Sequence, residues 1–346
     1  MYKFYKLRDW IDLDKLDWSY LSLNSNAICL LEQNTDKINR YNQLFNPNAI
    51  CLLEQNIDKI DWDYLSFNPN CIRLLENNID KINWSCLSAN PNAIHLLEQN
   101  IDKINWFNLS SNPNAIKLLE ENIDKINFYT LSANPNPKAI SLLEQNMHYI
   151  DWRSLSSNSN SSTIKLLEEN MNKIEWKNLS TNKNPNAIKL LEANIDKINW
   201  NLLSLNHNAI KLLEQNMDKI NWTYLSSNPN AIKLLEKNID KINWHNLSRN
   251  TNAIKLLENN INKIDWYYLS LNSDNINLLE NNKDKIDWKT ISANPIIYTY
   301  DYDKIRKISI GYIIMEELVA KVFNPLRLTR ICNTYKIRFD ELMDMY

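Results

Sequence analysis

The sequence predicts an all-α fold, an α-solenoid of 22–24 residue repeats, each a short helix of α or 3₁₀ type followed by a longer α-helix. Tryptophan returns at a fixed interval. Trp62, Trp84 and Trp106 are 22 residues apart and Phe128 takes the next place; Trp152, Trp176 and Trp200 follow at 24, and Trp222, Trp244, Trp266 and Trp288 return to 22. Self-similarity at this period marks units that cannot bury an apolar face alone and must stack. The second observation is a recurring nonapeptide, "NPNAIxLLE", at 46, 90, 112, 184 and 228. The third is a single glycine in 346 residues, which excludes folds built on glycine-dependent phosphate loops, tight hairpins or nucleophile elbows.

Taken in chain order, residues 1–17 end in "LDKLDW" and read as a half-repeat capping the N-terminal end of the stack. Trp18 and Arg40 open the first two units, so twelve tandem repeats fill 18–287. Residues 288–346 hold a partial thirteenth repeat and a helical C-terminal cap. Within the unit beginning at Trp106, Pro113 pushes Asn112 into the extended conformation of an N-cap and itself suits the first helical position. The longer helix is expected to run through Ala115, Ile116, Leu118 and Leu119 to about Glu121, an apolar stripe at helical spacing. Asn122 is assigned the left-handed C-terminal position, with Ile123 closing over the helix end. After the short connection Asp124-Lys125-Ile126, Asn127 caps the next short helix. The tryptophans read as a core ladder, since Phe128 replaces one cleanly. Stacked at about 8 to 10 Å per layer, the units predict a solenoid on the order of 100 Å along its axis, whose two ends need caps.

Composition narrows the function classes. A net charge of -2 provides no global attraction to nucleic acid or anionic membrane. The opening residues are interrupted by charges and do not read as a signal peptide, and "ISIGYIIM" at 308–315 is too short to span a bilayer. Cys29, Cys51, Cys71, Cys86 and Cys332 show no ligand spacing and read as reduced thiols of a cytosolic protein.

The pattern "LSxNPNAIxLLExNxDKINW", the opening "LRDWIDLDKLDW" and the tail "EELVAKVFNPLRLTRI" resemble the asparagine-rich short-repeat proteins of giant amoeba and algal DNA viruses, the mimivirus-like group, over nearly the whole chain. Members of that group often carry histidine at the place of Asn324. The alternation of short and longer helices is more distantly similar to the leucine-rich-variant solenoid. The resemblance implies a fold and a viral source, in host cytoplasm or viral factory with the virion as a further location, and implies no activity.

Candidate chemistry is sparse. His95, His148, His207 and His245 occupy four different places in the repeat and do not converge, so no catalytic residue, metal site or cofactor is assigned. The glutamate after the double leucine is present in all twelve units, from Glu32 through Glu120 to Glu280; repetition argues for a structural role, with Glu120 accepting from a neighbour's indole or short-helix amides and Glu120→Gln lowering the melting temperature. Two outward features are more informative. Lys117, Lys165, Lys189, Lys211, Lys233 and Lys255 form a row, supplemented by a second row in the connections and by Arg327 and Arg330 in a tail segment, 321–338, that holds five basic residues and no acid. Three consecutive units also gain two residues each, in "NPNPKAI", "NSNSSTI" and "NKNPNAI", which predicts a ridge at Asn136, Pro137, Lys138, Asn160, Ser161, Ser162, Lys183 and Asn184. The expected function is a non-enzymatic scaffold for protein–protein interaction, binding a host or viral protein. RNA binding along the lysine rows is the alternative, disfavoured because each unit's acids offset its lysines.

Overall fold

The computed structural model describes residues 4–54, 57, 60–272, 274–307, 325–336 and 338. They fall into two units, Trp10–Ile297 and a smaller one formed by the two chain ends. The larger unit is the all-α solenoid that the period predicts. In the repeat at Trp106 the short helix is Trp106–Ser110, the second helix Ile116–Glu120, and a 3₁₀ turn at Ile123–Lys125 leads to the next repeat.

The short helices begin as their sequence requires, except at Trp176–Leu179, where Glu175 makes no side-chain cap bond. Asn105 is extended (φ -84°, ψ 98°), and its side-chain oxygen accepts from the Asn108 amide at 3.1 Å. Asn127 does the same for the Thr130 amide at 3.0 Å. The second helix departs from expectation. It has five residues in most repeats and starts at Ile116, because Asn112 is not its cap: the Asn112 carboxamide oxygen accepts from the Asn114 amide in an Asx turn. Only the three expanded repeats reach the expected length, at Pro137–Glu144, Ser161–Glu169 and Pro185–Glu192. There the two added residues supply a second asparagine, Asn136, Asn160 or Asn184, that caps the helix one turn earlier.

Asn122 also differs from the sequence reading. Its backbone lies at φ -137°, ψ 52°, and its side-chain amide donates back to the Leu118 carbonyl at 2.9 Å, satisfying a carbonyl at the helix end. Among the described residues only Lys336 has a positive φ. The repeat therefore needs no left-handed residue, which explains how the repeats dispense with glycine.

The core of a repeat is aliphatic, with a polar spine. Leu109, Ala115, Ile116, Leu118, Leu119 and Ile126 are buried, and so are Ser110 and Asn112. Both N–H groups of the Asn112 side chain point into the preceding repeat and donate to the Ser88 and Asn90 carbonyls at 3.1 and 3.0 Å. With its oxygen on Asn114, the carboxamide uses every hydrogen-bonding group that burial would otherwise leave unpaired. Asn46, Asn90, Asn134, Asn158, Asn182, Asn206, Asn228, Asn250 and Asn294 repeat the arrangement. Asn68 keeps one such bond, to the Leu44 carbonyl. Asn272 keeps none, its buried amide nitrogen unpartnered. A second ladder runs beside this one: Asn114 donates to the Pro91 carbonyl of the preceding repeat at 2.8 Å.

The spine has no free end, in contrast to the stack with two capped ends expected from the sequence. Asn24 in the first repeat donates to the carbonyls of Ser292 and Asn294 in the thirteenth at 3.0 and 2.9 Å. Asn26 donates to the Pro295 carbonyl at 3.3 Å, so the second ladder closes too. The segment expected to cap one end instead completes the other. Asp17 N–H donates to Ser292 Oγ at 2.8 Å, as Asn39 N–H donates to Ser22 Oγ at 3.0 Å within repeat one. Lys15 lies over the Trp288 ring at 5.2 Å, as Lys37 lies over Trp18 at 4.6 Å. Residues 12–17 are thus the second half of the thirteenth repeat, and the stack is a closed cycle in which every repeat has two neighbours.

In the smaller unit, strands β1 (Tyr5–Leu7) and β2 (Tyr298–Tyr300) pair antiparallel with Tyr5 opposite Tyr300. Their rings stack at 4.8 Å. The helix Pro325–Tyr335 carries Arg327 and Arg330, both exposed. The apolar set Ile310, Ile313, Ile314, Leu318, Val322 and Phe323, together with Lys321 and Asn324, lies outside the described residues.

Candidate interaction surface

The tryptophans are not the core. All of those opening repeats are half-buried, because the leucines, alanine and asparagine spine already fill the interior. Every one of these indoles except Trp152 instead forms a surface step roofed by a lysine from the 3₁₀ turn of its own repeat. Ten such pairs are present, with Nζ 4.6 to 5.6 Å from the ring centroid, among them Lys103 over Trp84 and Lys125 over Trp106. The second lysine row of the sequence is therefore engaged with aromatic faces at every described member but Lys173. Lys59, one member of that row, lies outside the described residues.

Repeat six breaks the pattern at both positions together. Phe128 stands for the tryptophan and Tyr149 for the lysine, and the two rings stack at 5.3 Å with an interplanar angle of 16°. Beside them is a cavity of about 560 Å³ lined by Ile123, Asp124, Ile126, Asn127, Phe128, Tyr129, Asn146 and Tyr149. The next repeat has a cavity of about 480 Å³ around Trp152, Arg153, Lys173, Glu175 and Lys177. The first spans the junction of repeats five and six, and the second lies among the expanded repeats.

An apolar row accompanies the indoles. The residue opening each 3₁₀ turn is isoleucine, methionine or leucine in most repeats, and Ile79, Ile101, Ile123, Met171, Ile195, Ile239 and Ile261 are 38 to 50% exposed. Near the first repeats, Tyr41, Phe45 and Tyr64 form an exposed aromatic cluster with ring separations of 5.2 to 5.4 Å, joined by a 3.1 Å bond between the two hydroxyls.

The charged rows are solvated. All twelve glutamates are exposed, and among the described residues no hydrogen bond reaches Glu120. Part of the role expected for Glu120 is filled by others, since short-helix amides go to residues such as Asn105. Lys117, Lys165, Lys189, Lys211, Lys233 and Lys255 are exposed too, with Lys117 and Lys165 each 3.9 Å from a glutamate four residues on. His95 meets Glu76 of the preceding repeat at 2.6 Å, which places the lysine row directly beside the glutamate row. The histidines occupy four different repeats: His245 bonds Asp265 at 2.7 Å, and His148 lies against Tyr149. Burial, with Lys183 nearby, lowers the His207 pKa.

The expected ridge is divided between structural and free residues. Asn136, Asn160 and Asn184 are committed on both sides of the carboxamide, each capping its own helix and donating to a carbonyl of the preceding repeat. Pro137, Lys138, Ser161, Ser162 and Lys183 are exposed. No protein-family model, curated protein or solved structure matches the chain. Among the described residues no helix is long and apolar enough to cross a membrane.

Proposed function

We propose that the chain is a non-enzymatic repeat scaffold that binds a protein partner, a host or viral protein if the viral source implied by its repeats holds. The observation that carries this reading is the row of half-exposed aliphatic side chains from Ile79 to Ile261 beside the indole steps. Leaving a large aliphatic side chain in water forgoes roughly 1.5 to 3 kcal/mol available on full burial. Repeating it around a cycle provides the extended apolar contact that protein interfaces desolvate at their centre. Nucleic-acid binding is the weaker reading: one lysine row is engaged with indoles and the other runs beside glutamates.

The test is affinity capture from infected-cell lysate, with and without nuclease, comparing the wild-type chain with Ile101→Lys/Ile123→Lys/Ile239→Lys. A discrete protein that survives nuclease and is lost with a folded triple variant supports the reading. Recovery of nucleic acid, or a partner indifferent to the triple variant, overturns it.

A further inference from the structure

We infer that the cavity at repeat six is a binding site for an alkylated ammonium group, beside the place that the repeat elsewhere fills with its own lysine and here fills with the Tyr149 ring. The argument begins with the repeat as its own control. At ten repeats an ammonium sits 4.6 to 5.6 Å from an indole centroid. The backbone geometry of this junction is therefore one that delivers a cation to an aromatic face. Repeat six retains the junction, with the 3₁₀ turn Met147–Tyr149 and the short helix Phe128–Leu131 in their usual places, and puts a tyrosine ring over Phe128 where the lysine would lie.

What remains there is a concavity with aromatic walls and an acid. Phe128, Tyr129 and Tyr149 contribute three rings to a cavity of about 560 Å³, and Asp124 supplies a carboxylate. Tyr129 and Tyr149 are both exposed, so ligand access requires no rearrangement. Rings attract a cation through their negative faces, and a nearby carboxylate adds Coulomb attraction. Alkylation selects the ligand further. A bare ammonium is strongly hydrated and gives up that water at high cost in an open site. A tri- or tetra-alkylated ammonium carries the same charge on apolar groups, loses less hydration, and matches walls that are aromatic and aliphatic, Ile123 and Ile126 included. A free choline-like molecule and a trimethylated lysine side chain both present this group; the recognition chemistry is shared.

The site does not depend on the protein-partner reading, and its test uses the full chain with defined ligands. Ligand-observed NMR with tetramethylammonium and choline should give saturable binding. Tyr149→Lys restores the residue that other repeats carry, so it leaves the fold intact while placing a built-in ammonium in the site. Binding should fall at least roughly tenfold in that variant, the loss of a ring contact combined with like-charge repulsion. Asp124→Asn should weaken binding by a smaller factor. The uncharged isostere 3,3-dimethylbutan-1-ol should bind much more weakly than choline. Absence of saturable binding, equal binding by the alcohol, or undiminished binding in folded Tyr149→Lys would each overturn the inference. Tighter binding of a trimethyllysine peptide than of choline would assign the ligand to a protein, and the reverse order to a free molecule, either one sustaining the site.

Discussion

Asn24 and Asn294 are 270 residues apart in sequence, yet the side-chain amide of the first donates to the backbone carbonyl of the second at 2.9 Å. The bond is the counterpart of the one from Asn112 to Asn90 inside the stack. Its consequence is energetic equivalence between a junction of chain ends and an interior junction.

Asn24→Ala and Asn112→Ala should therefore destabilise the protein alike, each by about 1 to 3 kcal/mol, since each leaves two carbonyls of its neighbouring repeat without a donor. Denaturant melts of the two variants provide the check. In an open stack Asn24 would lie at an end and its replacement would be nearly silent.

Gln43→Leu should stabilise the protein by about 1 to 3 kcal/mol. Gln43 occupies the place of Leu109 and its equivalents, is fully buried, and neither atom of its amide has a partner. An unchanged or lowered denaturation midpoint would show that the amide is satisfied in solution.

Glu120→Gln should leave stability within about 0.5 kcal/mol, the range of an exposed substitution without specific partners. Thermal unfolding measures it. A clear drop would restore the inter-repeat role that the sequence suggested and that the exposed carboxylate does not perform.

Burial pushes the Cys71 thiol up to about 11, against an ordinary 9.0. The folded state thus holds the proton more tightly than the unfolded chain. The associated stability is intact below about pH 9 and declines as pH rises toward 11. Cys71→Ala, which restores the residue of most other repeats, should flatten that decline in pH-dependent melts. At pH 8 native Cys71 should resist alkylation, and rapid labelling would contradict its burial.

What could be read from residues alone was what depends on spacing within one unit. Leu109, Leu118 and Leu119 follow helical periodicity, and Asn127 precedes a helix as a cap must, so core and element order were legible. Asn112 was not, because its partners sit in the preceding repeat; a local rule sees a cap where the structure has a cross-link. The tryptophans misled for the opposite reason: bulk suggests burial, but the interior was already full of smaller side chains. Closure was least legible of all. Residues 12–17 look like a truncated repeat, and nothing in the local pattern tells whether a half-unit shields an edge or completes a distant one. The pocket at repeat six did leave a signal, the simultaneous change of tryptophan to Phe128 and lysine to Tyr149 in one unit.

The division of the thirteenth repeat between two distant stretches also bears on biosynthesis. Residue 17 leaves the ribosome 271 positions before Trp288, the indole its segment must join. At about 5 to 20 residues per second that is a wait of roughly 15 to 55 s. Throughout it a nascent chain displays a half-finished repeat at one edge and an unmatched asparagine at Asn24. Two neighbouring polypeptides on one message would each present what the other lacks, so crowded translation favours interlocked chains, and slow, dilute synthesis favours a cycle closed on itself.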